Sequence, residues 1–92
     1  MILKRIVHDL HEASISIETD MGTLHLRGVQ ASHVLNSAPW GKSKFCKELR
    51  VVRGDDVAVV VLFMESRDVI TIAAEQVEIP ESLGDQYPKP RG

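Results

Sequence analysis

A basic stretch with two aromatic residues is the part of the chain best suited to binding chemistry. It reads WGKSKFCKELRVVR, residues 40–53. Its rings and cations are Trp40, Phe45, Lys42, Lys44, Lys47, Arg50 and Arg53. Single-stranded RNA binds such mixtures because bases stack on the rings while phosphates meet the cations. Alternatively, the rings anchor the segment to the core while the lysines face water. The chain has only four aromatic residues, which favours this second interpretation.

Histidines are the residues from which catalysis could be built. His8, His11 and Glu12 stand within one helical turn, a spacing that could present ligands to a metal, but a fourth ligand is not evident. A solvated surface is the better interpretation of so short a match. His25 and His33 lack the Ser, Cys or Asp pattern of a nucleophilic site. We therefore predict no enzyme, no metal and no cofactor, with a small enzyme built on His8, His25 or His33 as an alternative.

The composition is that of one small domain with an aliphatic core. The 92 residues are 43% hydrophobic and 26% charged, within the range of globular proteins. Net charge is −2, divided into +3 for residues 1–54 and −5 for residues 55–92. This profile is not that of a globally basic nucleic-acid binder, and a molecule with two such halves can attract its own copies.

The chain carries no apolar run long enough for a signal peptide or a membrane span. The single cysteine, Cys46, cannot form an internal disulfide, which fits a reducing compartment. We therefore expect a cytoplasmic protein without a membrane partner.

The first half of the chain predicts a helix followed by a hairpin. Residues 2–12, ILKRIVHDLHE, place Ile2, Leu3, Ile6, Val7 and Leu10 at helical spacing. The next residues, SISIETDMGTLHLRGVQ, alternate apolar and polar side chains on both sides of an Asp-Met-Gly turn, which is typical of a β-hairpin.

The second half predicts strands and then a tail. Residues 49–53, 57–64 and 69–74 are rich in Val and Ile, and VAVVVLF is apolar on both faces, as expected of a strand covered on both sides. The predicted fold class is α+β, an N-terminal helix packed on a strongly bent antiparallel sheet of about five strands. An SH3- or Sm-like small barrel is one form that such a sheet takes. Residues 1–80 form the domain and residues 81–92 a flexible Pro-containing tail.

One motif resembles a known family. The segment VVRGDDVAVV, with Arg53-Gly54-Asp55, is similar to the second signature of Sm-like RNA-binding proteins. LHEASISIETDMGTLHLRG resembles that family's entry of a helix and a bent hairpin. The resemblance, over about residues 10–61, implies RNA contacts by Asn36, Arg53 and Asp55. The sequence departs from the family where residues 37–47 replace two expected strands.

The sequence leaves three functions in order. The first is a small non-catalytic binding or assembly module that acts as a homo-oligomer, so its partner is itself. The second is an Sm-like protein that binds single-stranded RNA through Arg53-Gly54-Asp55 and residues 42–53. The third is the small enzyme. At the motif itself we expect a hairpin tip first and an RNA-binding loop second.

Overall fold

Antiparallel β-structure forms all of the regular elements in the computed structural model, which describes residues 1–35 and 44–88. The strands are β1 (Leu3–Asp9), β2 (Ser14–Thr19), β3 (Gly22–Leu35), β4 (Cys46–Arg53), β5 (Ala58–Met64), β6 (Val69–Glu78) and β7 (Gln86–Tyr87). Within these residues there is no helix, and hence none that could cross a membrane.

The strands lie in one sheet that closes on itself. Their order is β1-β2-β3-β6-β5-β4-β7. The amide of Leu3 donates to the carbonyl of Lys44 at 2.8 Å, and the amide of Cys46 donates to the carbonyl of Met1 at 2.7 Å. Ile2 and Phe45 pair between these two bonds. The start of the chain thus joins β1 to β4, and the sheet encloses a single core.

The α+β prediction is wrong, because the residues expected to form a helix form β1. Lys4 stands at an irregularity in the pairing with β2, where the register shifts between Leu3 and Arg5. A shift of one residue places Leu3 and Ile6 on the core side, three residues apart, which imitates helical spacing. Val7 and Leu10, expected on the same helical face, are exposed instead. A strand is favoured because a helix this short is marginally stable by itself, whereas β1 pairs with β2 along its whole length.

The predicted hairpin is present as β2 and β3. Gly22 closes its turn with a φ of 123°, a conformation that favours glycine. The hydroxyl of Thr19 donates to the Gly22 carbonyl at 2.7 Å and accepts from the amide of Met21 at 3.1 Å. Further along β3, Gly28 has a φ of 65°, just before the register with β6 shifts between Val29 and Ala31. Gly28 therefore stands at a bend in β3.

The core is aliphatic, as the composition predicts. One side chain in two from β2, β5 and most of β6 points inwards, which follows from the two-residue period of a strand. The buried apolar residues are Met1, Leu3, Ile15, Ile17, Leu24, Leu26, Cys46, Leu49, Ala58, Val60, Leu62, Met64, Ile70, Ile72, Ala74, Val77 and Leu83. The polar groups Thr19 and Asp68 are buried at its margin.

Residues 81–88, which the sequence predicts to be part of a flexible tail, pack against the sheet. Leu83 is fully buried in the core. β7 pairs with β4, so that Tyr87 lies opposite Leu49. The ammonium group of Met1 donates to the Tyr87 hydroxyl at 2.6 Å. The ordered part of the chain therefore extends past residue 80, and residues 89–92 lie outside the described residues.

Candidate functional site

The outer side of β5 and β6 is apolar over three rows of outward residues, and β4 adds Val52 to one of these rows. In β5 the core takes Val60 and Leu62, while Val59, Val61 and Phe63 point outwards. The sequence predicts that this strand is covered on both sides. However, Phe63 is 36% exposed, and Val59 and Val61 are only partly buried. The strand therefore has one face in the core and one at the surface.

Neighbouring strands continue this surface. Val52 of β4 lies opposite Val59, and Ala73 of β6 lies opposite Val59 on the other side. Thr71 is beside Val61, and Val69 is beside Phe63. We call this surface the apolar outer face, and its residues are Val52, Val59, Val61, Phe63, Val69, Thr71 and Ala73. Its seven positions cover roughly 200 Å² at ordinary strand spacing, a contiguous apolar patch of moderate size.

The outer side of β1, β2 and the first half of β3 is mainly polar, although Val7 is exposed there opposite Ser16. Arg5 pairs with Glu18 across β1 and β2. Arg27 pairs with Glu78 of β6 at 3.3 Å, with both side chains 60% exposed. We call this surface the polar outer face. The two outer faces belong to one sheet over one core, so the difference between them does not follow from folding alone.

Glu48 and Arg50 form a charged border to the apolar outer face. Both are on β4, where Glu48 lies opposite Phe63 and Arg50 lies opposite Val61. The guanidinium of Arg50 donates to a carboxylate oxygen of Glu48 at 3.0 Å from Nε and at 2.9 Å from its terminal nitrogen. The pair neutralises two charges beside an apolar surface.

The basic stretch is only partly brought together. Asn36, Trp40 and Lys42 lie outside the described residues. Lys44 and Lys47 are exposed. Phe45 is 39% exposed and pairs with Ile2. The two arginines of the stretch, Arg50 and Arg53, are each engaged with an acid, which lowers the positive potential that an RNA backbone would meet.

Arg53-Gly54-Asp55 stands at the tip of the β4–β5 hairpin. The amide of Gly54 donates to the carbonyl of Val57 at 2.8 Å. Arg53 turns away from the tip and donates two hydrogen bonds to Asp85, at 2.7 and 2.9 Å, and a third to the carbonyl of Val77 at 3.2 Å. Asp55 is exposed. The motif thus contributes its arginine to holding residues 80–88, and its aspartate faces solvent.

The hydrogen bonds between Arg53 and Asp85 shift both titrations. They hold the pKa of the Asp85 carboxyl below its ordinary value, and they raise the pKa of the guanidinium further. Burial opposes both shifts but is the smaller cause. The pair is therefore fully ionised near neutral pH.

His8 and His25, two of the histidines considered for an enzyme, lie on different strands. His8 is exposed on β1. Nδ1 of His25 lies 3.4 Å from the hydroxyl of Ser16, at the long end of hydrogen-bond distances. The two line an open groove of about 460 Å³ with Glu12 and Arg27. Within residues 1–35 and 44–88, no cluster of His, Cys, Asp or Glu could hold a metal ion.

Cys46 is inaccessible to chemistry in the folded protein. It is fully buried and its thiol donates to the carbonyl of Glu48 at 3.2 Å. Burial raises the pKa of the thiol, and hydrogen bonds to the backbone oppose this only in part. The group stays protonated at neutral pH and behaves as a small apolar side chain.

Val52, Glu48 and the outward residues of β5 and β6 could not be recognised as one surface from the sequence. The unbroken apolar run of β5 indicates that both faces of this strand are apolar. Which face remains exposed depends on the neighbouring strands, so it could not be predicted from the sequence of β5 alone.

No family model, curated protein or solved structure matches the chain. The resemblance to Sm-like proteins therefore rests on the sequence motif alone.

Proposed function

We propose that this protein is a small non-catalytic assembly module that forms a homodimer through its apolar outer face. The observation that supports this is the difference between the two outer faces of the same sheet. One face consists mainly of ion pairs and hydroxyl groups, with Val7 as an exposed apolar residue. The other face exposes Val52 and Phe63 beside Val59 and Val61. The charged neighbours in these rows are Glu48 and Arg50, which form the border.

A second copy is the occupant that fits this face best. Two sheets pack face to face when the side chains of each are apolar and alternate with residues pointing inwards. The apolar outer face meets that condition, and in a two-fold dimer the same face serves both copies. The charged border contains one acid, Glu48, and one base, Arg50, so the border of one copy can offer opposite charges to the border of another.

The expected dimer is weak and reversible. With its charged border, the face buries roughly 600–800 Å² in total, below the standard size of specific interfaces. We expect dissociation constants in the micromolar range, on the order of −8 kcal/mol. The dimeric fraction would therefore rise with protein concentration.

RNA binding at Lys44, Lys47 and Phe45 is the second candidate. What favours it is that these cations and this ring are exposed beside one another in the chain. What weakens it is the pairing of Arg50 and Arg53 with acids.

Sedimentation of the full chain from 1 to 100 µM, roughly the range set by the expected affinity, tests the proposal. The wild type should move from monomer to dimer with concentration. Val61→Asp places a charge in the centre of the apolar outer face and should stay monomeric while keeping a cooperative melt. Ser16→Asp places the same group on the polar outer face and should dimerise like the wild type.

Two results would contradict self-association. A wild type that remains at 10.2 kDa throughout overturns it. If that monomer also fails to bind a hydrophobic dye, the cover is another part of the same chain. A larger species that forms only with single-stranded RNA, and weakens with salt, would support the RNA candidate instead.

A further inference from the structure

An open groove lies where the start of β4 meets the hairpin of β5 and β6. Its volume is about 510 Å³, which is within the range of small-molecule sites. Phe63, 36% exposed, lines this groove, and Val69 lies beside it on β6. Lys47 and Arg67 also line the groove, and both are exposed. We call this site the basic groove, because it combines an accessible aromatic ring with two cations.

The backbone of Arg67 adopts a conformation that favours glycine. Residues 65–67 form a three-residue hairpin loop, which is closed where the amide of Met64 donates to the carbonyl of Asp68 at 2.9 Å. The third position of such a loop adopts a positive φ and is usually glycine, yet here it is Arg67, with a φ of 74°. Because an arginine destabilises this backbone conformation relative to glycine, the stability of the turn does not explain the side chain.

The guanidinium of Arg67 has no carboxylate partner within residues 1–35 and 44–88. Each of the other arginines in these ranges contacts an acid, namely Arg5, Arg27, Arg50 and Arg53. Arg67 therefore differs from them in two ways, its positive φ and its unpaired charge. Its side chain is available to a ligand.

Lys47 occupies a second irregularity at the same groove. The register between β4 and β5 shifts between Cys46 and Glu48, so Lys47 is the extra residue of a β-bulge. Like Arg67, it contacts no carboxylate in the described part of the chain. Bulges and positive-φ residues both concentrate at functional sites. Here one of each lines the same groove, and each carries a cation.

The acids of the basic groove leave these two cations available. Glu48 contacts Arg50 at 2.9 Å. Asp68 is buried and accepts a hydrogen bond from the Ser66 hydroxyl at 2.8 Å. Glu65 is the acid that is exposed together with the two cations. This balance at the solvent side of the groove favours an anion over a cation as ligand.

We propose that the basic groove binds a nucleoside phosphate, with the base stacked on Phe63 and the phosphate held by Arg67 and Lys47. Bases of every type stack on aromatic side chains, and a guanidinium offers a phosphate two parallel hydrogen bonds. An inorganic anion would leave the ring unused, and an apolar ligand would leave the cations unused. A free nucleotide and a nucleotide within single-stranded RNA share this chemistry.

The basic groove overlaps the apolar outer face at Phe63 and Val69. The same side chains cannot contact a base and a second copy at once, so nucleotide should shift the proposed dimer towards monomer. This linkage rests on the proposed function, whereas nucleotide binding itself does not. Lys47 is also shared with the second candidate function, to which the groove adds Phe63 and Arg67.

Titration of the isotope-labelled chain with adenosine monophosphate, followed by amide chemical shifts, tests the site. The amides of Lys47, Phe63 and Arg67 should shift, while Ser16 and His25 in the groove of the polar outer face should not. Adenosine and inorganic phosphate should each bind at least about tenfold more weakly, because each lacks one of the two contacts.

A single-stranded oligoadenylate in a parallel titration separates the two sources of this chemistry. Much tighter binding of the oligonucleotide at the same amides supports the site and identifies RNA as the ligand. Equal affinities support the site and identify the free nucleotide. No shift at these amides with either probe in the millimolar range, or larger shifts at Ser16 and His25, overturns the proposal.

Arg67→Gly distinguishes a ligand contact from a structural role. Glycine accommodates the positive φ, so the melting temperature should rise by a few degrees while the affinity for adenosine monophosphate falls about tenfold. Ala13→Gly is the matched control, because Ala13 also has a positive φ, 49°, and lies between β1 and β2. Its affinity should equal that of the wild type. An Arg67→Gly variant that keeps wild-type affinity, or that melts at a lower temperature, overturns the role of Arg67.

Sedimentation of the same samples separates this proposal from the proposed dimer. A wild type that dimerises but binds no nucleotide keeps the dimer and removes the nucleotide site. A monomer that binds adenosine monophosphate keeps the site and removes the dimer. A dimer that saturating adenosine monophosphate does not dissociate would overturn the overlap of the two surfaces.

Discussion

Arg53 and Asp85 join the β4–β5 hairpin to residues 80–88 through two parallel hydrogen bonds of 2.7 and 2.9 Å. The same guanidinium reaches the carbonyl of Val77 at 3.2 Å, so one side chain contacts both β6 and the segment before β7. The amide of Val51 donates to the carbonyl of Asp85 at 2.9 Å, which fixes the backbone as well. Arg53, which belongs to a motif that resembles an RNA-binding loop, therefore connects β4 to β6 and to the segment before β7.

The first prediction is a pH dependence that belongs to this pair. Because Arg53 lowers the pKa of Asp85 in the folded protein, the pair stabilises the fold above the ordinary aspartate pKa. That stability is lost as pH falls from about 4 through the lower value of the folded state. Asp85→Asn should cost about 0.5–1 kcal/mol at pH 7, since both side chains are nearly half exposed.

Urea denaturation of wild type and Asp85→Asn between pH 7 and the acid limit measures this. The two curves should converge in acid. Asp55→Asn, at the exposed hairpin tip, is the control and should follow the wild type at every pH. A gap between wild type and Asp85→Asn that persists in strong acid would contradict the assignment.

The second prediction concerns Leu83 as the anchor of residues 81–88. The side chain is fully buried, so Leu83→Ala should lower the free energy of unfolding by about 2–4 kcal/mol. Leu10→Ala removes the same atoms from a position that is 81% exposed and should change stability by less than about 0.5 kcal/mol. Denaturation midpoints at equal slope provide the comparison. Equal effects from the two variants would show that Leu83 is not in the core.

The local elements of this fold could be predicted where alternation is unbroken. The hairpin of β2 and β3 follows from its alternating side chains and from Gly22. Residues 2–12 suggest a helix because Leu3 and Ile6, three residues apart, both face the core. The irregularity at Lys4 allows this in a strand, so the spacing is shared by helices and bulged strands. Only the pairing partner, which is distant in sequence, decides between them.

The same physical limit applies to the candidate site. Phe45 and Arg50 could be singled out from the sequence, but for contact with RNA. Their place on one outward side with Glu48 and Val52 depends on the register shift between Cys46 and Glu48, which moves the alternation by one residue. Docking of Leu83 is likewise a tertiary contact, made by one apolar residue within a polar segment. Neither leaves a periodic signal.

The third prediction is that Cys46 is unreactive until the protein unfolds. Its thiol is buried, and burial raises its pKa, so thiolate is scarce at neutral pH. A disulfide reagent should modify the native protein at least about a thousandfold more slowly than the unfolded chain, because access requires global opening. Cys46→Ser combined with Val52→Cys moves the thiol to the surface and should react within the mixing time. Rapid reaction of the native wild type would contradict the burial of Cys46.

The last prediction compares two adjacent valines of β5. Val60 is fully buried and faces the core, whereas Val61 points to the apolar outer face. Val60→Asp buries a charge that no neighbouring core residue can neutralise and should abolish cooperative folding. Val61→Asp should retain the fold, with a loss of no more than about 1 kcal/mol beyond any contribution from the dimer interface. Circular dichroism melts at a concentration below dimerisation separate the two effects. If both variants fail to fold, Val61 is covered within the monomer and the apolar outer face is not a surface; if both fold, the strand does not cross the core.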